Sequence, residues 1–569
     1  MTSGTIRRAQ LISPFGVGAM TVLVDGTSVI AAGLDHWFEG DNVRVSEFRI
    51  EEWRLQKRLR VSHFRTPPQY QAPQRDMARR ENVGLTVPFL RFPSWSFCPY
   101  CKRMTRQPLA FHGKAHCPDP SHQIPKGRKG PVMAQVPFVV VCERGHMDDF
   151  PWSEWVHRSA QPLCGGTLRL RSRGGGSLSG QVVICDGCKQ ERSLEGVMTA
   201  TGETTTLTST LERGTDYPCK GGRPWFGNAG EPCGQPLRGT LRGASNVYFP
   251  LVESSIYLPQ SPSSTPEPLL KILQSPPFAA AIALAENIAG EVSAKHIRAA
   301  DRDELTRQFT DRQIDDALIE ISGGSAAHGE YALDLLSPVD WRRPEHAVLR
   351  SEIRHPHLVV TKAKPYSEEI NAAFSRVRLV ELLRETRALW GFTRVKSSAL
   401  RLSEGKARLR LHPTGDWLPA YTVSGEGIYF EFDEARLCAW ETRPDVASRA
   451  DRLARHYLGV REERGLDDRD ITPRFILVHT MAHLIISQLI FECGYSTASL
   501  RERLYVSSDL DSPMAGLLIY TAAGDAEGTM GGLVRMGKPG NLERVWDASL
   551  ANAEWCSTDP ICMAGLRQS

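Results

Sequence analysis

Apolar spacing changes repeatedly along the chain, and each change marks an element. Through the first 50 residues, short apolar runs such as Leu11-Ile12 and Thr21–Val24 alternate with turns at Gly16–Gly18 and Asp25-Gly26, a pattern of short strands. Residues 50–60 predict a short basic amphipathic helix, and Pro67, Pro68 and Pro73 a linker after it. An apolar strand, Gln135–Val141, runs into Cys142, and the stretch to Trp152 turns back into a helix. A Ser/Pro/Thr-rich linker covers 260–268, and helical spacing fills 269–322. Leu358–Thr361 reads as a strand, 367–390 contains a helix, and 417–440 alternates as strands. Residues 475–490 are apolar almost all round, which predicts a buried helix. Gly516–Thr521 is a further strand, and it ends in a glycine-rich loop reaching Gly532.

These patterns predict a multidomain α+β protein. A zinc-ribbon region is inserted after an N-terminal β-rich segment, and mixed helical and α/β domains follow. The expected divisions are 1–85, 86–258 with two zinc sites, 269–405 and 406–569. A chain of 569 residues is long enough for several domains. No secretory h-region stands at the N-terminus and no apolar run approaches the length of a membrane helix, so a cytoplasmic location is expected.

The cysteines change the picture most. Nine of 13 lie between Cys98 and Cys233, two pairs of them as Cys-x-x-Cys. That spacing turns two thiolates toward one tetrahedral zinc ion, and the odd total speaks against a disulfide framework. Cys98, Cys101, Cys117 and Cys142 are expected to form one site, with His116, His122 and His146 as rival ligands. Cys185, Cys188, Cys219 and Cys233 form the second, with Cys164 as a fifth candidate. Sites closed by four protein ligands are structural, so about two structural zinc ions are expected.

Charge adds a second theme. The net charge is only +4, but residues 51–130 hold 16 Lys/Arg against 5 Asp/Glu. Clustered positive charge suits phosphate. Arg54, Lys57, Arg58, Arg60, Lys102 and Arg103 are the candidate DNA contacts, against the plainer reading of a solvated basic face. The chain has no Gly-x-x-x-x-Gly-Lys-Ser/Thr loop, so it is not expected to be an ATP-driven motor. Gly16-x-Gly18 lacks the third glycine of a dinucleotide loop. His479 and His483 stand four apart on one helix face. They support an alternative, a metal-dependent nuclease or metallohydrolase drawing on Asp509/Asp511 or Asp525/Glu527, although position 480 is Thr and the general-base Glu of the protease motif is missing.

Several motifs together resemble the DrmB family of the bacterial DISARM anti-phage system. They are Arg7–Ile12 with its glycine turn, the Cys-Pro-x-Cys ribbon, Cys142-x-x-Gly-His146-x-Asp-Asp-Phe-Pro-Trp152, and Arg242–Pro250. The helix of His479 and His483, Cys493-Gly-Tyr-Ser with Ser499–Arg503, and Thr529–Gly532 complete them. Residues from about 410 onward resemble an uncharacterised domain at the C-terminus of some DNA-repair helicases, where cysteines bind zinc. Cys556 and Cys562 then look like half of a further site, completed by Cys493 or by ligands beyond Ser569. The resemblance implies a non-catalytic accessory subunit that binds a DrmA-like helicase, contributes to DNA engagement and regulates that partner's ATPase. It implies no membrane and no small-molecule substrate. A pure protein-interaction module without DNA contact is the third reading.

Overall fold

The computed structural model describes residues 6–554, except 41–42, 72–80, 126, 175–177, 202–203, 206, 208–216, 260–266, 274, 290–291, 303, 322–336, 398–399, 413–414, 465–468, 496–498, 510 and 522–530. Pro73, Asp525, Glu527, Thr529, Met530, Cys556 and Cys562 lie outside the described residues.

The N-terminal segment contains β1 (Met20–Val22), β2 (Ser28–Ala31), α1 (Trp53–Leu59) and β3 (His63–Arg65). The basic helix forms where its pattern places it. The Glu52 carboxylate accepts from the Leu55 N–H at 2.7 Å as an N-cap, and Arg60 closes the helix in the left-handed region at φ 49°.

Short strands then build three small three-stranded sheets. The first joins β4 (Trp95–Phe97) and β5 (Met104–Arg106) to Ala134–Gln135. The second uses β6 (Phe138–Val141) and β7 (Met147–Asp149), the third β8 (Leu168–Ser172), β9 (Gln181–Cys185) and β10 (Glu191–Ser193), while β11 (Arg238–Leu241) returns to pair with β6. Between β7 and β8 lies α2 (Trp152–His157). Phe138, Phe150, Trp152 and Trp155 pack beneath two of these sheets, with Phe150 and Trp152 centroids 4.7 Å apart.

The rest is organised by a nine-stranded sheet. Its strands include β12 (Phe249–Ile256), β13 (Ile353–His355), β14 (Leu358–Lys362), β15 (Phe374–Thr393), β16 (Trp417–Phe432), β17 (Leu500–Ser507) and β18 (Met514–Thr521). The order β13-β14-β15-β16-β18-β17 is antiparallel, with β12 on β15 and β3 parallel to the start of β16. The sheet therefore draws strands from both sides of positions 258 and 405 and from the N-terminal segment.

Helices α3 (Glu267–Leu273), α4 (Pro276–Ala289), α5 (Ala294–Ala300) and α6 (Asp311–Ile321) occupy the expected helical stretch and share a small core. They are followed by α7 (Pro338–Leu349), α8 (Glu368–Ala373), α9 (Leu402–Leu409), α10 (Glu434–Glu441), α11 (Pro444–Arg464), α12 (Pro473–Cys493), α13 (Gly532–Met536) and α14 (Asn541–Ala553).

Three expectations change. The helix near 367–390 is only the six-residue α8; β15 takes over at Phe374. Its Leu, Arg and Glu residues favour a helix by fractions of a kcal/mol each, roughly 0.7 at most. Pairing with β12 and β14 along one edge and β16 along the other overrides that preference. The alternation at 417–440 ends at Phe432, where Asp433 caps α10 by accepting from the Arg436 N–H. Finally, α12 is not buried all round. Val478, Met481, Ala482, Ile485 and Leu489 face the core, whereas Phe491 is 85% exposed and His483 stands outside. By length and composition this helix is apolar enough to cross a membrane, contrary to the expectation that no stretch would be, but its inner face packs on the sheet.

Buried arginines join the pieces. Arg54 of α1 pairs with Glu345 of α7 at 3.0 Å, Arg503 of β17 pairs with Glu345 at 3.0 Å and Glu385 at 2.6 Å, and all four side chains are at most 2% exposed. Burial alone would raise the Glu345 carboxyl, but Arg503, Arg342 and Arg54 hold it well below the usual carboxylate range. Arg394, just beyond β15, donates to the carbonyls of Gly145, Val247 and Gly18, tying the cysteine region and the N-terminal turn to the sheet.

Candidate metal centres

Two hairpins use the same device to aim a pair of thiols. Between β4 and β5, the Cys98 N–H donates to the Arg103 carbonyl at 2.9 Å and the Lys102 N–H to the Cys98 carbonyl at 3.0 Å, with Lys102 at φ 66°. After β9, the Cys185 N–H donates to Gln190 at 2.9 Å and the Lys189 N–H to Cys185 at 2.9 Å, with Lys189 at φ 63°. Each tight turn leaves the thiols of a Cys-x-x-Cys on one side. A third hairpin, between β6 and β7, turns through Gly145 and closes with the Cys142 N–H on the His146 carbonyl at 3.1 Å.

Around these turns the ligand atoms gather into three groups of four, each within 4.8 Å of one another. The first is Cys98, Cys101, Cys117 and His122; the second Cys142, His146, Cys219 and Cys233; the third His157, Cys164, Cys185 and Cys188. Within them the spacings are 3.4 Å for Cys98 Sγ–His122 Nε2, 3.5 Å for Cys101–Cys117, 3.6 Å for Cys142 Sγ–His146 Nδ1, 3.9 Å for Cys142–Cys233 and 3.6 Å for Cys164–Cys185. A tetrahedral zinc ion with Zn–S of about 2.3 Å and Zn–N of about 2.0 Å needs edges of roughly 3.5–3.8 Å. A disulfide would need sulfurs about 2.05 Å apart, and the described cysteines are free thiols. The donor sets fit zinc.

Two further observations agree. The His157 Nδ1 lies 2.7 Å from the Ser153 carbonyl and donates to it, which leaves Nε2 as the bare acceptor, and that Nε2 is buried without a partner. Metal-bound histidines are commonly oriented in this way. Each group also has one thiol held below the ordinary thiol value. Hydrogen bonding from Cys219, helped by His146, lowers Cys142 to about 4. The Gly166 N–H and the Cys185 thiol lower Cys164. Burial works against Cys98, but the Tyr100 and Cys101 N–H groups and the Cys101 and Cys117 thiols bring it down.

The grouping differs from the one the spacing predicted. Cys142 does not stand with the first group; His122 does. Cys219 and Cys233 join Cys142 and His146, so Cys185 and Cys188 take Cys164 and His157 instead. Among the described residues of the region there are three such groups rather than two, and they take in all nine of its cysteines. The strand order explains the exchange, because β11 returns to β6 and carries the preceding Cys219–Cys233 segment back to Cys142. His116 is engaged elsewhere, on the Gly130 carbonyl. His157 was not foreseen; its position at the end of α2, far from any Cys-x-x-Cys, gives no sequence signal.

Glycine is required beside the third group. A Cβ on Gly166 would come within 2.6 Å of the Cys185 Sγ. Arg169 bridges the first and third groups, donating to the Cys101 carbonyl at 2.6 Å and to Asp119 and Asp186 at 3.2 and 2.6 Å.

The candidate DNA contacts separate by burial. Arg54 is withdrawn: it is 1% exposed and committed to Glu345 and the Trp341 carbonyl, so no phosphate can reach it. Arg58 is paired with Glu253 and only 19% exposed. Lys57 and Arg60 are exposed, Lys102 and Arg103 half-buried. The Lys102 ammonium donates to the Pro99 carbonyl within its own turn.

The carboxylates offered for a hydrolase separate from the histidines. Asp509 is bound to Arg343 and caps the turn by accepting from the Asp511 N–H. The carboxylate beside His479 and His483 is Glu502. Cys493, at the end of α12, is half-buried, and burial raises its thiol. Among the described residues it joins no such group.

The architecture is that of a multidomain α+β protein whose cysteine region carries three Cys/His groups that could each hold a metal ion. A family model described as "Domain of unknown function (DUF8724)" matches residues 7–249, the N-terminal segment and all three centres. The chain is also 29% identical to the DISARM protein DrmB of Bacillus paralicheniformis over 557 residues, covering 94% of this chain and 89% of that protein. The chain is thus DrmB-like along nearly its whole length.

Proposed function

We propose that this chain is a cytoplasmic, non-catalytic accessory subunit of a DISARM anti-phage defence complex. It binds a DrmA-like helicase and contributes to DNA engagement and to regulation of that partner's ATPase. Similarity to DrmB over 94% of the chain is the observation that carries this reading. The chain's lack of a P-loop agrees with it, since turnover would then belong to the partner. Zinc ions in the three Cys/His centres would act as folding staples: each is closed by four protein side chains, so no position is left for substrate. Cys98, Cys101, Cys117 and His122 would hold one ion, Cys142, His146, Cys219 and Cys233 the next, and His157, Cys164, Cys185 and Cys188 the last.

Lys57, Arg60, Lys102 and Arg103 remain the proposed phosphate contacts, a sequence-independent role in which each contact releases counterions. The test is co-purification with the helicase subunit, then ATPase and DNA binding of the complex with and without this chain. Substituting Lys102→Glu should weaken DNA binding without regard to sequence and reduce the salt slope by about 1. An unchanged slope removes that residue from the DNA path, and a helicase that neither binds this chain nor changes its turnover overturns the reading.

A further inference from the structure

Outside the cysteine region, α12 and β17 bring together three donors of a different kind. His479 and His483 present Nε2 atoms 3.0 Å apart, and Glu502 Oε1 lies 3.4 Å from the first and 3.6 Å from the second. The His479 ring is fixed by stacking on Phe475, with centroids 5.3 Å apart, and the two imidazoles stand edge to face at 82°. The other oxygen of Glu502, Oε2, is closed off from solvent and has no hydrogen-bond partner.

A shared proton accounts for one side of this triangle only. An N–H···N bond suits the 3.0 Å edge, but 3.4 and 3.6 Å exceed the roughly 2.7–3.2 Å of an N–H···O bond. An ion at the centre accounts for three donor atoms facing one another, with edges of 3.0, 3.4 and 3.6 Å scattered about the tetrahedral value. Metal–ligand bonds of about 2.0–2.1 Å in a tetrahedral arrangement place neighbouring ligand atoms about 3.3–3.4 Å apart. We propose that His479, His483 and Glu502 bind one divalent ion of the zinc class, with three protein ligands and the remaining position open. Two imidazoles and a carboxylate without thiolate suit Zn²⁺, Ni²⁺ or Co²⁺. His483 and Glu502 also line a groove of about 530 Å³ with Arg342, Ser487, Arg501 and Tyr520, so water can reach the open position. The site does not depend on the accessory-subunit reading.

The test uses the full chain, treated with EDTA and then titrated with Zn²⁺ alone. Native mass spectrometry should count one ion more on the wild type than on His483→Ala or Glu502→Gln. Zn²⁺ should raise the thermal midpoint of the wild type and leave that of the variants unmoved by this site. His483 is 63% exposed, so its truncation leaves no cavity, and Glu502→Gln, nearly unchanged in shape, keeps the test decisive if the first variant fails to fold. Ions held by the cysteine centres occur in every variant and cancel from the difference. Co²⁺ at this site should add visible d–d bands without thiolate charge transfer. Equal ion counts in wild type and variants would overturn the proposal and leave the two histidines sharing a proton.

Discussion

The cysteine region and the nine-stranded sheet solve the same problem with different means. Strands in the cysteine region run from two to five residues around a core of their own, and its turns collect twelve Cys and His side chains into three groups. The sheet has strands of up to 20 residues, a continuous apolar core on each side, and buried Arg–Glu pairs contributed by α1, α7, β15 and β17. Local geometry positions the ligands in the first, and metal binding would supply the missing stability. Long-range pairing and burial stabilise the second. Each region is therefore vulnerable at a different place.

The largest effect should come from the ligands. Cys142→Ser removes the deepest donor of the second centre, and structural zinc binding is worth on the order of 10 kcal/mol or more. Limited proteolysis should then open the chain between 86 and 258 while the sheet strands survive; a resistant cysteine region would break the comparison. Glu345→Gln attacks the other side. It takes the paired carboxylate from Arg54 and leaves Arg503 with Glu385 alone, at a cost of about 3–5 kcal/mol, so the thermal midpoint should fall while the metal count stays the same. Arg394→Met cuts between the two regions. Three carbonyls from Gly18, Gly145 and Val247 lose their donor, at a cost of about 3 kcal/mol. The expected result is two separate unfolding transitions in place of one.

The smallest effect is a pH dependence of the sheet. Burial depresses His346, bonded to the Tyr429 hydroxyl at 2.8 Å, to about 4, so the fold keeps it neutral. Its contribution is fully present above the ordinary value of about 6.5. It is lost as pH falls from there toward 4. Burial would raise the Glu385 carboxyl, but Arg503 and Arg387 hold it at about 2, so its contribution begins to fade only below about 4.3. The stability difference between wild type and His346→Gln, read from denaturant midpoints, should therefore narrow as pH falls from 7 to 4.

The sequence was informative in opposite ways for the two regions. Both Cys-x-x-Cys turns were legible because their geometry is set within five residues. Of their partners, Cys117 was legible and His122, His146 and Cys164 stood as candidates, but the division was not, because Cys219 and Cys233 reach Cys142 only through the pairing of β11 with β6, and His157 reaches its group only through the docking of α2. In the sheet, the apolar strand at β18 was legible and β15 was not, since its local preference is helical and its partners lie far away in sequence. Arg54 and Arg503 show the same limit. Their charge read as surface, or went unused, because their carboxylates come from distant elements. The stretches that resemble DrmB lie in both regions, and Arg394 donates to a carbonyl in three of them.

Three four-ligand centres closing the cysteine region would give the chain a fixed metal count. Native mass spectrometry of the purified chain after EDTA treatment tests it most directly. Three zinc ions retained per chain, with all nine thiols of 98–233 protected from alkylation until the protein is denatured, is the expected result. Two ions or fewer, or cysteines joined as disulfides, would contradict it.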